Sequence, residues 1–178
     1  MTRKGAAMMR ATVFGLCLQL VSVTAFGACP DDSVAARYLR AIETMNWSQM
    51  EALLADDASY SDPTMTYFDR EPIQLVGSAN IVDFWRSGAE ESGTNKISYT
   101  TTGCFETAGY FLVNLDIDVR VAGTYWNVNK DWISLPGKVV SIVRVTDGRV
   151  SEHHDYVEYS AADSTVKQLQ KQYGALKK

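Results

Sequence analysis

Tyr38, Asp62, His153 and Asp155 are the side chains here whose types and placement suit proton transfer. Asp62 ends the run ASYSD and is held by Pro63 behind it. In that run Ala58, Tyr60 and Asp62 point one way and Ser59 and Ser61 the other, so a sheet that buries Tyr60 carries Asp62 inward. Apolar surroundings raise the proton affinity of a carboxylate, which is how a weak acid becomes a general base near neutral pH. The second cluster is SEHHDY, residues 151–156, which holds both histidines of the chain. Neighbours in a strand face opposite ways, so only one histidine enters a pocket, and His153 shares its face with Asp155. Ordinary roles stand beside these: Tyr38 at helical spacing with Val34 and Ile42 suits a core, an Asp before Pro suits a turn, and late-strand histidines suit a surface. A metal site would need a third ligand beside His153 and Asp155, which Asp62 could supply only if the cavity closed tightly, and neither a nucleophile elbow, a phosphate loop nor a dinucleotide fingerprint occurs, so no metal or cofactor is expected.

The elements that must position these groups follow from hydrophobic spacing. VAARYLRAIETM, residues 34–45, predicts a helix carrying Tyr38. Met50, Leu53 and Leu54 mark the buried face of a second helix, with Ser48 and Glu51 as its capping box. Ser78 predicts the start of a third, burying Ile81, Phe84 and Trp85 and ending before Gly93. Ile97, Tyr99 and Thr101 then alternate in a strand whose turn spans Gly103 to Gly109. Phe111, Val113, Leu115, Ile117, Val119 and Val121 form the apolar face of a long strand, with Asn114, Asp116, Asp118 and Arg120 on the other. Strands over Trp132–Leu135, Lys138–Val145 and Val150–Tyr159 follow, divided by Pro136-Gly137 and Thr146-Asp147-Gly148. A three-residue loop with Gly148 as bulge residue pairs Ser141 with His153, whereas a two-residue turn pairs Ser141 with His154. The three-residue loop is expected, because it gathers Val139, Ser141, Val143, His153, Asp155 and Val157 on one face. Helices followed by an antiparallel meander predict an α+β fold. The stretch from Thr64 to Val76 gives no clear signal.

Residues 1–28 read as a signal peptide: Arg3, Lys4 and Arg10 precede an apolar run from Ala11 to Phe26, and Ala25 and Gly27 are spaced for signal-peptidase cleavage. The run is short for a membrane span and nothing later exceeds it, so no spanning segment is expected. Export to the periplasm or medium is the expectation. Phe26-Gly27-Ala28-Cys29 is also a loose lipobox, so a lipid anchor at Cys29 is the lesser alternative. Cys17 leaves with the leader, and Cys29 and Cys104 remain as an even pair in an oxidising compartment, hence an expected disulfide, with a free buried thiol at Cys104 as the alternative. The whole chain has 17 basic and 21 acidic residues. Losing the leader's three basic residues leaves 14 against 21, or −7, and this acidic balance excludes nucleic acid as a partner. About 150 residues remain, one domain by length.

The stretch ALLADDASYSDP, residues 52–63, resembles the ketosteroid-isomerase and SnoaL-like branch of the nuclear transport factor 2-like superfamily, whose members carry an ADDA helix end followed by an ED-P strand. TDGRVSEHHDY, residues 146–156, is similar to the DG-I-EH-D ending of SnoaL-like cyclases. The resemblance covers roughly residues 33–159, leaving 160–178 as a tail. It implies a conical half-barrel in which three N-terminal helices pack in a curved, mainly antiparallel sheet, with a pocket lined by Tyr60, Trp85, Ser141, Val139, Val143 and Val157. It implies that Asp62 is the proton-transferring base and Tyr38 the donor to a substrate carbonyl, or that Asp155 is the acid/base residue with His153 beside it. The isomerase pattern is incomplete, since Ser141 stands near the place of that family's second oxyanion acid. The polar side of the long strand implies a dimer interface or a solvated face. Two readings stay open: a cofactor-free isomerase or cyclase acting on a small apolar or carbonyl-bearing molecule, and a non-catalytic binding or dimeric interaction module.

Overall fold

A computed structural model of the protein describes residues 29–176; residues 1–28, where the signal peptide is expected, and Lys177 and Lys178 lie outside them. Helix α1 (Val34–Glu43) is capped by Ser33, whose Oγ accepts from the Ala36 N–H at 3.0 Å, and it buries Ala35, Tyr38, Leu39, Ala41 and Ile42. Helix α2 (Trp47–Leu53) starts earlier than the capping box placed it. Its cap is Asn46, which accepts from the Gln49 N–H at 3.2 Å, while Ser48 donates to Asn46. Strand β1 (Leu54–Asp62) runs into a short 3-10 helix (Pro63–Phe68), then β2 (Ile73–Val76) and α3 (Ser78–Ser92). Gly77, with φ +94°, occupies the cap position of α3, so Ser78 is the first helical residue. Ile81 and Val82 are the fully buried residues of α3, and Phe84, expected in the core, is 36% exposed.

Strands β3 (Lys96–Thr107), β4 (Tyr110–Ala122), β5 (Trp132–Thr146) and β6 (Arg149–Glu158) complete one six-stranded sheet in the order β2-β1-β6-β5-β4-β3, and helix α4 (Ser160–Tyr173) follows. Neighbours are antiparallel except β1 and β6, which run parallel. The fold is α+β, an open curved sheet with helices on its concave side. The residues from Gly103 to Thr107 extend β3 rather than turning, and the turn is Ala108-Gly109, both at positive φ. Pro136-Gly137 does not divide β5. Pro136 lies past the end of β6, where β5 has only β4 beside it, and an imino acid is tolerated at such an edge.

The β5–β6 hairpin reaches the expected face by another route. Thr146 pairs with Arg149 across a two-residue Asp147-Gly148 turn, φ 52° and 75°, and not across a three-residue loop. A bulge follows: Val145 pairs with Val150 but Arg144 with Glu152, leaving Ser151 as the extra residue. That single insertion shifts the register by one, so Ser141 meets Asp155 and Val143 meets His153. Val139, Ser141, Val143, His153, Asp155 and Val157 therefore do share the concave face.

The main core lies between this face and helices α1 to α3. Residues 160–173, expected as part of a tail, instead bring Val166 of α4 onto a smaller cluster of Val121, Val128, Ile133 and Leu135. Cys29 and Cys104 form a disulfide, Cα atoms 5.3 Å apart, which ties the chain ahead of α1 to β3.

Candidate functional site

The concave face holds a cavity of about 390 Å³. Its walls are largely apolar, from Ile73, Leu115, Ile117, Val119, Val139 and Val157, with Trp85 and the partly exposed Phe84 contributed by α3. Besides the exposed Glu91 of α3, two buried carboxylates reach it. Asp62 arrives at the end of β1 and Asp155 from β6, on strands the parallel pairing makes adjacent, and both are almost wholly buried.

Their surroundings differ. Asp62 Oδ1 accepts from the Thr64 N–H at 2.8 Å and the Thr64 hydroxyl at 2.5 Å, and Oδ2 accepts from Tyr159 at 2.5 Å. The Thr64 hydroxyl oxygen in turn accepts from the Val157 N–H at 2.9 Å. Asp62 thus ties the 3-10 helix to β6 while facing the cavity. Asp155 Oδ1 accepts from Ser141 at 2.5 Å and contacts His153 Nε2 at 2.9 Å, whereas Oδ2 has only a long bond from Tyr60 at 3.3 Å. Burial pushes the Asp155 carboxyl up, but the His153 charge and the hydrogen bonds from His153, Ser141 and Tyr60 outweigh it and leave the group below the usual carboxylate range. Apolar surroundings alone would have predicted the opposite direction.

His153 and Tyr38 stand one layer behind. The Tyr38 hydroxyl lies 3.1 Å from His153 Nδ1, and the two rings meet edge to face at 5.3 Å. An ionised Asp155 only accepts, so His153 Nε2 carries the hydrogen of that contact, and Nδ1 is the atom that meets the Tyr38 hydroxyl. Burial, then the charge of Asp155, pushes the Tyr38 phenol well up, which keeps it protonated. The result is a buried row, Tyr38 to His153 to Asp155, that meets the cavity only at its carboxylate end.

Of the residues singled out in the sequence, Tyr60, Asp62, Trp85, Val139, Ser141, Asp155 and Val157 line the cavity, and Tyr38, His153 and Val143 do not. Tyr38 was expected to donate to a ligand, but α1 packs directly on β6, and its hydroxyl is used up by His153. Val143 pairs with His153 at the same depth and is fully buried in the core. Several polar residues of the site went unmarked: Arg70, Glu91, Thr94, Tyr99, Tyr125 and Tyr159 in the lining, and Thr64 on Asp62. Tyr159 continues the alternation of His153, Asp155 and Val157, so its inward direction was legible. Asp-Pro-Thr is a side-chain turn signal that points to Thr64. Tyr99 alternates with Ile97, and its ring reaches the cavity wall. The Trp85 indole N–H is buried in that wall without a hydrogen-bond partner.

An open α+β cone with an apolar cavity and buried carboxylates at its inner end defines a domain of the nuclear transport factor 2-like superfamily. The SnoaL-like domain model matches residues 35–153, and the chain belongs to that family. Solved structures agree on the fold. A protein from Shewanella denitrificans OS-217, classed provisionally as a SnoaL-like polyketide cyclase, superposes with a TM-score of 0.67 at 15% identity, over 76% of this chain and 95% of that one. An LEH-like epoxide hydrolase from M. tuberculosis gives 0.60 at 13% identity, over 78% and 90%. A protein of ketosteroid isomerase-like fold from Catenulispora acidiphila DSM 44928, in complex with trimethylamine, gives 0.60 at 12% identity, over 76% and 93%. No curated protein matches the chain. No helix among the described residues is long and apolar enough to cross a membrane.

Proposed function

We propose that this exported SnoaL-like protein takes a small apolar, carbonyl-bearing molecule into the cavity and that Asp155 removes a proton next to the carbonyl, as an isomerase or cyclase does. The observation that supports this is the Asp155 carboxylate: ionised, buried in an apolar cavity, with Oδ2 nearly free and Oδ1 held by Ser141 and His153. In the step, the C–H electron pair becomes the C=C bond of an enolate, the carbonyl π pair moves onto oxygen, and the proton goes to Asp155. Isomerisation returns that proton at a different carbon, and cyclisation uses the enolate carbon to attack a second carbonyl of the same molecule. Asp62 is the alternative base, with both oxygens already bonded within the chain.

One observation favours the non-catalytic reading, a ligand-binding module. The lowered proton affinity of Asp155 makes it a weaker base than a catalytic carboxyl tuned near neutral pH. Carbon-13 NMR titration of Asp155 in the mature domain tests the two: catalysis predicts that a bound apolar ketone raises its pKa by displacing solvent, and an unmoved pKa favours binding alone. Native mass spectrometry of the purified domain should find a small molecule retained.

Export is supported by the leader sequence and the disulfide. The Cys29 sulfur is committed to Cys104, so an anchor on that sulfur would require the reduced form. A homodimer would use the outer face of β4. There Asp116 pairs with Lys138 at 2.6 Å, Asp118 accepts from Ser134 at 2.9 Å and Arg120 lies over Trp132, a face already paired within one chain.

A further inference from the structure

Tyr99 differs from the other phenols of the cavity wall. Tyr60 donates to Asp155 and Tyr159 donates to Asp62, so both hydroxyls are already used within the chain, and Tyr125 is 45% exposed and open to water. No described side chain hydrogen-bonds the Tyr99 hydroxyl, although its backbone N–H is fixed by Glu43 at 2.9 Å. The ring enters the cavity from β3, among Ile97, Leu115, Ile117 and Val119, which offer a ligand only apolar surface. Burial and the charges of Asp155 and Glu43 hold the phenol protonated, so it presents a donor and not an anion.

We infer that Tyr99 is the residue that reads an oxygen of the ligand, and that the ligand is an apolar molecule with a ketone, enol or phenol oxygen directed at β3. This rests on the cavity being the ligand site. It moves the donor expected from α1 onto β3, with Asp155 left free to act on another part of the same molecule. A donor without a protein partner in an apolar wall favours an oxygen-bearing ligand over its hydrocarbon counterpart, because a hydrocarbon leaves that hydroxyl unpaired.

The test compares 2-naphthol with naphthalene on the disulfide-bonded mature domain, by fluorescence titration and by [13Cζ]tyrosine NMR. The wild type should bind 2-naphthol about tenfold more tightly than naphthalene, a factor typical of one added hydrogen bond. The Tyr99 Cζ resonance should move with 2-naphthol and not with naphthalene. Tyr99→Phe should keep naphthalene binding, which also shows that it folds, and lose the preference. Equal binding of both probes by the wild type, or a preference that survives Tyr99→Phe, overturns the role of Tyr99 while leaving the cavity as a ligand site. Failure of both probes to bind overturns the ligand site as well.

Discussion

Tyr38→Phe separates the two places a phenol on the first helix can occupy. If the hydroxyl faced a ligand, removing it would weaken binding and leave the fold intact. In the structure it is fully buried and bonded to His153 Nδ1, whose other nitrogen is bonded to Asp155. The substitution removes no methylene group and opens almost no space, so its cost is the hydrogen bond and the imidazole nitrogen left without a partner. A buried group stranded in this way costs about 1–3 kcal/mol. A domain of this length loses roughly 2–4 °C of Tm for each kcal/mol, so the melting point should fall by roughly 2–12 °C. Differential scanning calorimetry at neutral pH reads this directly, and 2-naphthol titration on the same sample should show an affinity within about twofold of wild type. An unchanged Tm together with a large loss of affinity would refute the layered arrangement and return Tyr38 to the cavity.

Deleting Ser151 should remove the bulge while keeping Val145 opposite Val150, Arg144 opposite Glu152 and Val143 opposite His153, so His153 and Asp155 stay on the concave face and unfolding stays cooperative; a deletion variant that no longer unfolds cooperatively would contradict the register. Serine at both Cys29 and Cys104 should lower stability by up to about 4 kcal/mol for a loop of 75 residues, seen as a lower denaturant midpoint. Asp155 is held below its ordinary range in the folded state, so its contribution is present above the unfolded carboxylate pKa and is lost as pH falls through the lower, folded value. Asp155→Asn should accordingly be less stable than wild type near neutral pH and lose less on acidification, and melts giving parallel acid limbs for the two proteins would oppose this.

Local alternation made much of the sheet readable. The inward set of Ala58, Tyr60 and Asp62 and the apolar face of β4 need only a period of two, and the chain keeps it. Long-range facts were not readable in the same way. Nothing in ASYSD or SEHHDY says that these strands lie side by side in parallel, because that pairing joins segments 93 residues apart. The hairpin loop was misjudged, yet the faces came out as expected, since a bulge at Ser151 and a third loop residue each add one residue to the register. The depth of Tyr38 and His153 depends on how closely α1 sits on β6, a packing distance no spacing rule supplies. Helix α4 had a signal in Val166 and Leu169, but only the strands beneath it make that stripe worth burying.

The final strand to be made is the one that joins the sheet. With β6 between β1 and β5, a chain that has reached only Val145 holds two separate ribbons, β2-β1 on one side and β5-β4-β3 on the other. Neither can close the hollow between them. Assembly must therefore wait for residues near the C-terminus, a high-contact-order route that is slow by nature and that keeps the polypeptide extensible until late. A nascent chain of this design stays threadable through a narrow pore for almost its whole length, and its loss of the last thirty residues would divide the domain rather than trim it.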